Sequence, residues 1–283
     1  MLSCLFTIQN LFKGGTALDF IVLFILGLVI GSFLNVCIYR LPLNQSIAFP
    51  PSHCMACQTR LKAVDLVPVF SYLFLRGKCR FCQSPISSRY AAVEVLTGFL
   101  FAFVYYKIGL GLELIKALIF ISFLLVITFI DYDCQLILDK VLLPMGLIGI
   151  LINLFFMHSD IIATVCSLPF PLFVNSIDWI SQLIGFAVGG GLLFIIAMVS
   201  GGGMGGGDIK FAAVLGLWLG WQMNLLLLLL AFLMGGIVGI ILIMTRIKSR
   251  KDYVPFGPFI AIAAGIVYLY GIELLAWYLA LIQ

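Results

Sequence analysis

Eight apolar runs, each near the length needed to cross a bilayer, divide this chain of 283 residues. They cover 20–39, 91–106, 112–130, 141–157, 179–199, 209–221, 225–245 and 256–281. The sixth is short. Charged residues make up only 10% of the chain, against about 25% in a soluble domain, and hydrophobic residues 63%. The expected fold is therefore an all-α integral membrane protein of about eight transmembrane helices. One polar insert, residues 40–90, interrupts them. The reading gives three parts: an outer N-terminus and first span (1–39), the insert (40–90) and a larger membrane domain (91–283).

Basic residues set the orientation. Arg40, Arg60, Lys62, Arg76, Lys78, Arg80 and Arg89 follow the first span. Arg246, Lys248, Arg250 and Lys251 precede the last. Eight spans put both groups on one side, which is taken as cytoplasmic. The stretch 158–178 falls on the other side and carries no Lys or Arg. Lys107 and Lys116 depart mildly from the pattern. The first run is preceded by Lys13 and ends in Asn35, Tyr39 and Arg40, without a small-residue cleavage pattern. A retained span is expected there rather than a cleaved signal peptide.

The insert holds Cys54-Met55-Ala56-Cys57 and Cys79-Arg80-Phe81-Cys82, with 21 residues between the pairs. That spacing lies just beyond the usual zinc-ribbon range. Four thiolates on two tight turns make a closed, structural zinc site in a zinc-ribbon-like insert. Unligated thiols or a redox pair are the alternatives, and disulfides do not suit a cytoplasmic segment. The basic residues are already explained by topology, so no nucleic-acid partner is expected. Cys4, Cys37, Cys134 and Cys166 lack partner spacing. The two histidines, His53 and His158, are poorly placed for a Cys–His enzyme, and no serine sits in a GxSxG setting.

Carboxylates at the ends of apolar runs are the other anomaly. Asp131 closes the third run. Asp208 follows Gly201-Gly202-Gly203-Met204-Gly205-Gly206-Gly207, a stretch expected to be unwound because so many glycines make a poor helix. The eight-span arrangement brings both acids to one membrane face. Two carboxylates in contact share a proton, so one can take a proton from water while the other polarises a peptide carbonyl. Asp133 and Asp139 read instead as local capping residues. A small-residue packing face and a proton-coupled transporter are the competing readings.

In these motifs, in this order, the chain resembles the type IV prepilin peptidases, bifunctional leader peptidases and N-methyltransferases of the GxGD intramembrane aspartyl protease group. The resemblance runs through Gly31-Ser32-Phe33-Leu34-Asn35-Val36, Tyr39-Arg40-Leu41-Pro42, the paired CxxC knuckles and Pro68-Val69-Phe70-Ser71-Tyr72-Leu73. It continues through Arg89-Tyr90, Glu94, Ile130-Asp131-Tyr132-Asp133, Gly205-Gly206-Gly207-Asp208-Ile209-Lys210 and Pro255-Phe256-Gly257-Pro258. Leu138 and Ala91 stand where the family often has proline. The resemblance implies Asp131 and Asp208 as the catalytic pair. It implies prepilin and pseudopilin substrates in the bacterial inner membrane, cut at the cytoplasmic boundary between a basic leader and an apolar helix. It further implies methylation of the new amino terminus with S-adenosylmethionine. Gly77, Arg89, Tyr90 and Glu94, in the insert and at its junction with the spans, are candidates for binding that donor, Gly77 and Glu94 foremost, and for Glu94 a purely structural pairing with Arg89 or another basic residue stays open.

Overall fold

The computed structural model describes residues 16–157, 179–201, 203–247 and 254–282. Lys13, Cys4, His158 and the rest of 158–178 with Cys166, Gly202, Lys248, Arg250 and Lys251 lie outside them. Among the described residues there are eight α-helices and no strand. They are α1 (Ala17–Arg40), α2 (Phe70–Phe74), α3 (Ser88–Ile108), α4 (Leu112–Cys134), α5 (Asp139–Met157), α6 (Trp179–Val199), α7 (Gly206–Met244) and α8 (Gly257–Ile282). The chain forms two compact units, Met1–Val126 and Ile127–Gln283. All eight expected spans fall on helices, with the sixth and seventh merged in α7.

In the first unit α1 and α3 run antiparallel. Thr16 and Asp19 form a capping box at the start of α1. Gly27 and Gly31, four apart on one face, let α3 come close. A Cβ on Gly27 would lie 2.7 Å from Gly98 Cα, and one on Gly31 2.8 Å from Glu94 Cα. At the far end Tyr105 donates its hydroxyl to Asp19. Asn35 donates its amide to Tyr90 O at the near end. Between the two helices the insert carries α2, a 3-10 turn (Ala63–Leu66) and the two cysteine turns. The buried Asp65 anchors it through an ion pair with Arg80 at 2.7 Å.

The second unit contains the expected gap at 222–224 in another form. Helix α7 numbers 39 residues, about 58 Å if straight and far more than a bilayer core of about 30 Å. It is not straight. Gly220 has φ 75° and ψ 173°, and the chain folds back there. The Asn224 amide donates to both Ala212 O and Gly185 O, which a continuous helix forbids. The break needs one residue and not a loop, because glycine tolerates that backbone conformation. Asn153 and Trp218 tie the first arm to α5, donating to Leu217 O and Met145 O respectively. The last helix runs antiparallel to the second arm, with Phe256 stacked near Phe232 and Gly271 against Met223.

Candidate functional site

The end of α4 and the starts of α5, α7 and α8 meet at one end of the second unit. Asp131 sits in the last turn of α4, where the helix dipole does not favour a carboxylate. Its compensation comes from α8. The Gly257 N–H, at the positive end of that helix, donates to Asp131 Oδ2 at 3.1 Å. A Cβ on Gly257 would lie 2.5 Å from the same oxygen, so only glycine permits this approach. Asp208 lies in the first turn of α7, and its carboxylate accepts from the Gly205 backbone N–H. The acid thus closes its own helix start, as a residue at the third position commonly does. Both carboxyls are buried, Asp131 3% and Asp208 4% exposed, and Asp208 feels the charge of Asp131.

Ile137 packs against Gly207 and Gly257, the glycines beside this pair. Cβ atoms on Gly207 and Gly257 would lie 2.9 Å and 3.2 Å from it. Asp139 opens α5 and takes both its hydrogen bonds from Lys210, at 2.8 and 2.9 Å. That pair is exposed and joins α5 to α7 two residues beyond Asp208. Asp133 is exposed at the helix end. The glycine run is only partly unwound. Gly206 and Gly207 are already helical, because Asp208 caps that turn and Ile137 fills the space beside Gly207. Leu138, in place of a proline, supplies the carbonyl that opens α5 to Val141 and Leu142.

In the first unit the four sulfurs of Cys54, Cys57, Cys79 and Cys82 lie within 4.8 Å of one another. Cys54 Sγ and Cys82 Sγ are 3.7 Å apart. Tetrahedral zinc with bonds of about 2.3 Å sets sulfurs about 3.8 Å apart, so this donor set fits the metal. The two turns repeat one design. Gln58 N–H returns to Cys54 O and Gln83 N–H to Cys79 O; Cys54 N–H reaches Thr59 O and Cys79 N–H reaches Ser84 O. The backbone N–H groups of Cys57 and Ala56 hold the Cys54 thiol down to about 6. The Ser84 hydroxyl, and then its backbone N–H, lower Cys82. Both are suited to thiolate ligation.

Gly77 and Glu94 have local duties. Gly77 has φ +69°, and a Cβ there would meet the Tyr72 hydroxyl at 2.9 Å. Glu94 is buried on α3 and accepts from the Val69 N–H at 2.8 Å and from the Ser32 hydroxyl. The groove beside them, of about 510 Å³, is apolar, lined by residues such as Val69, Leu73, Ala91 and Phe99. It does not fit a charged, nucleoside-bearing methyl donor. Sequence reasoning named the Pro255–Pro258 segment without giving Gly257 its part. The signal was there, in a glycine placed where the last apolar run begins.

Six of the helices have the length and composition of membrane spans. The molecule is thus a multi-pass α-helical membrane protein with two buried carboxylates at one end of a helix cluster and a four-cysteine insert. Residues 25–108 match the Bacterial Peptidase A24 N-terminal domain, and 118–240 the Type IV leader peptidase family. The prepilin leader peptidase/N-methyltransferase of Aeromonas hydrophila is 36% identical, over 93% of this chain and 94% of that protein. Those of Bacillus subtilis (strain 168) and Pseudomonas putida are 35% and 34% identical, over 91% and 89% of this chain and 97% and 91% of theirs. The chain belongs to this family of prepilin leader peptidase/N-methyltransferases. No solved structure matches it.

Proposed function

We propose that this protein removes the basic leader from type IV prepilins and related pseudopilins and then methylates the new amino terminus, with Asp131 and Asp208 as the catalytic pair. One observation carries the proteolytic half: two buried carboxylates, from different helices, within electrostatic reach at one end of the unit. Such a pair holds one proton between its members. The ionised carboxylate takes a proton from water as that water attacks the scissile carbonyl. The protonated one hydrogen-bonds the carbonyl oxygen as charge develops there, and a proton passes to the leaving amine. The Gly257 N–H fixes the orientation of Asp131, and the Gly205 N–H that of Asp208.

The methyl donor in this reading is S-adenosylmethionine, which when bound supplies an electrophilic methyl group to the new amine. Gly77 and Glu94 act in methyl transfer by shaping the insert, Gly77 through its turn before Cys79 and Glu94 through its hold on Val69. No step is assigned to a donor pocket. Zinc on Cys54, Cys57, Cys79 and Cys82 is structural, since four thiolates leave no open position. The protein works in the bacterial cytoplasmic (inner) membrane with insert and acids facing the cytoplasm, where a substrate's leader meets its own membrane helix. The three-part division at residues 39 and 90 separates an anchoring span, the insert and the protease domain.

The test is purified protein with a prepilin in detergent. Asp131→Asn and Asp208→Asn should each leave a folded protein that removes no leader. Normal cleavage by either would sink the catalytic assignment. Mass measurement of the processed pilin decides the second step, because a product lacking the added methyl group removes the transferase half.

A further inference from the structure

Helix α2 presents Phe70, Leu73 and Phe74 outward, 55%, 63% and 85% exposed. The spacing i, i+3, i+4 puts all three on one face. Tyr72, on another face, turns inward to Gly77. A soluble insert gains nothing from such a face, and contiguous exposed apolar surface marks a contact. The position of α2 says with what. Its N-terminal neighbour Val69 is held at φ 60°, rare for a β-branched residue, and its N–H is bonded to the Glu94 carboxylate. Glu94 lies six residues into α3, about 9 Å along a membrane-spanning helix. That bond therefore pins the start of α2 beside the span rather than above it. The groove they form continues down α3 through Ala91, Val95, Leu96 and Phe99. The apolar face of the insert is thus continuous with the exposed apolar surface of α3. Exposed Arg76 and Lys78 follow directly after the helix.

We infer that Phe70–Phe74 is an interfacial helix that lies in the cytoplasmic leaflet, its Phe70, Leu73 and Phe74 side chains among the acyl chains and Arg76 and Lys78 on the phospholipid headgroups. Aromatic and aliphatic side chains backed by basic ones are the usual composition of such a helix. The helix holds the cysteine turns against the membrane surface. This assignment rests on α3 as a membrane span and not on the peptidase reading, so either can fail alone.

The test places the photo-crosslinker p-benzoylphenylalanine singly at Phe74, Phe70 or Met55 in the full chain. Met55 is an apolar residue on the first cysteine turn, 55% exposed like Phe70. Each variant is reconstituted in nanodiscs of phosphatidylcholine and phosphatidylglycerol, irradiated, and weighed intact. Phospholipid adducts at positions 74 and 70 should exceed those at 55 by about five-fold or more, as expected for chains buried below the headgroups. Equal yields at all three positions overturn the inference. So does an adduct at 74 that forms with added prepilin and not with lipid, which would make the face a protein-docking surface. The two α2 positions are read independently, so a variant that fails to fold does not end the test.

Discussion

The cysteine insert and the aspartate cluster are both built sites, and they are built in opposite ways. Each cysteine turn is closed within eight residues by its own backbone hydrogen bonds. Residues 53–60 and 78–85 repeat one pattern, with Cys54, Cys57, Gln58 and Thr59 answered by Cys79, Cys82, Gln83 and Ser84. The aspartate cluster is closed locally on one side only, where Asp208 caps its own turn. Asp131 depends on Gly257 from the last helix, and Ile137 packs against both Gly257 and Gly207, the residue before Asp208. The first is local geometry used twice. The second is packing used once, and its parts have no meaning apart.

The sharpest break of this contrast comes from the acids. Asp131→Asn or Asp208→Asn should lower the rate of leader removal by about 10³-fold or more, as expected when a residue acting as half of a pair is lost. Methylation of a pre-cleaved pilin peptide should continue. Loss of both activities together would mean that the two regions are not separable. Next is Gly257→Ala. A methyl group 2.5 Å from Asp131 Oδ2 must displace the carboxylate. Steady-state kinetics should show kcat down by about 10²-fold with KM little changed, as for a misplacement of about 1 Å. An unaltered kcat would remove Gly257 from the site.

The insert should answer differently. Cys54→Ser or Cys79→Ser should abolish bound zinc, measured by elemental analysis, and lower methyl transfer more than cleavage. Gly77→Ala forces a side chain into a left-handed backbone and against Tyr72. It should cost about 1–2 kcal/mol of stability of the insert, read by hydrogen exchange. The smallest effect belongs to Lys210→Ala. Its ion pair with Asp139 is more than half exposed on both sides, so thermal stability should fall by about 1 kcal/mol or less.

Much of this was legible in the chain. Apolar length placed every run on a helix, and six of those helices have the length and composition of membrane spans, because lipid demands the same local property of every helix that crosses it. The two CxxC turns were legible because their ligands are neighbours in sequence. Asp131 and Asp208 stood out as acids at the ends of apolar runs. What the residues left open was local in name only. The glycine run looked wholly unwound, yet Gly206 and Gly207 are helical, because Asp208 caps them and Ile137 packs against Gly207. Two spans looked separated by a loop, yet Gly220 alone reverses the chain, because Asn224 can bond back to Ala212 O and Gly185 O.

By itself, then, the order of residues determined a helical membrane protein with a four-thiolate insert and two candidate acids. Hydropathy and close ligand spacing are properties of short stretches, and any fold of those stretches must respect them. Only the tertiary structure decided that the Gly257 N–H steadies Asp131, that Ile137 sits between two glycines, and that α2 is pinned beside α3 by Glu94. The first and last rest on hydrogen bonds of 3.1 and 2.8 Å between residues far apart in sequence, and the second on helix packing too close to admit a Cβ. No periodicity records which side chain a distant helix will present.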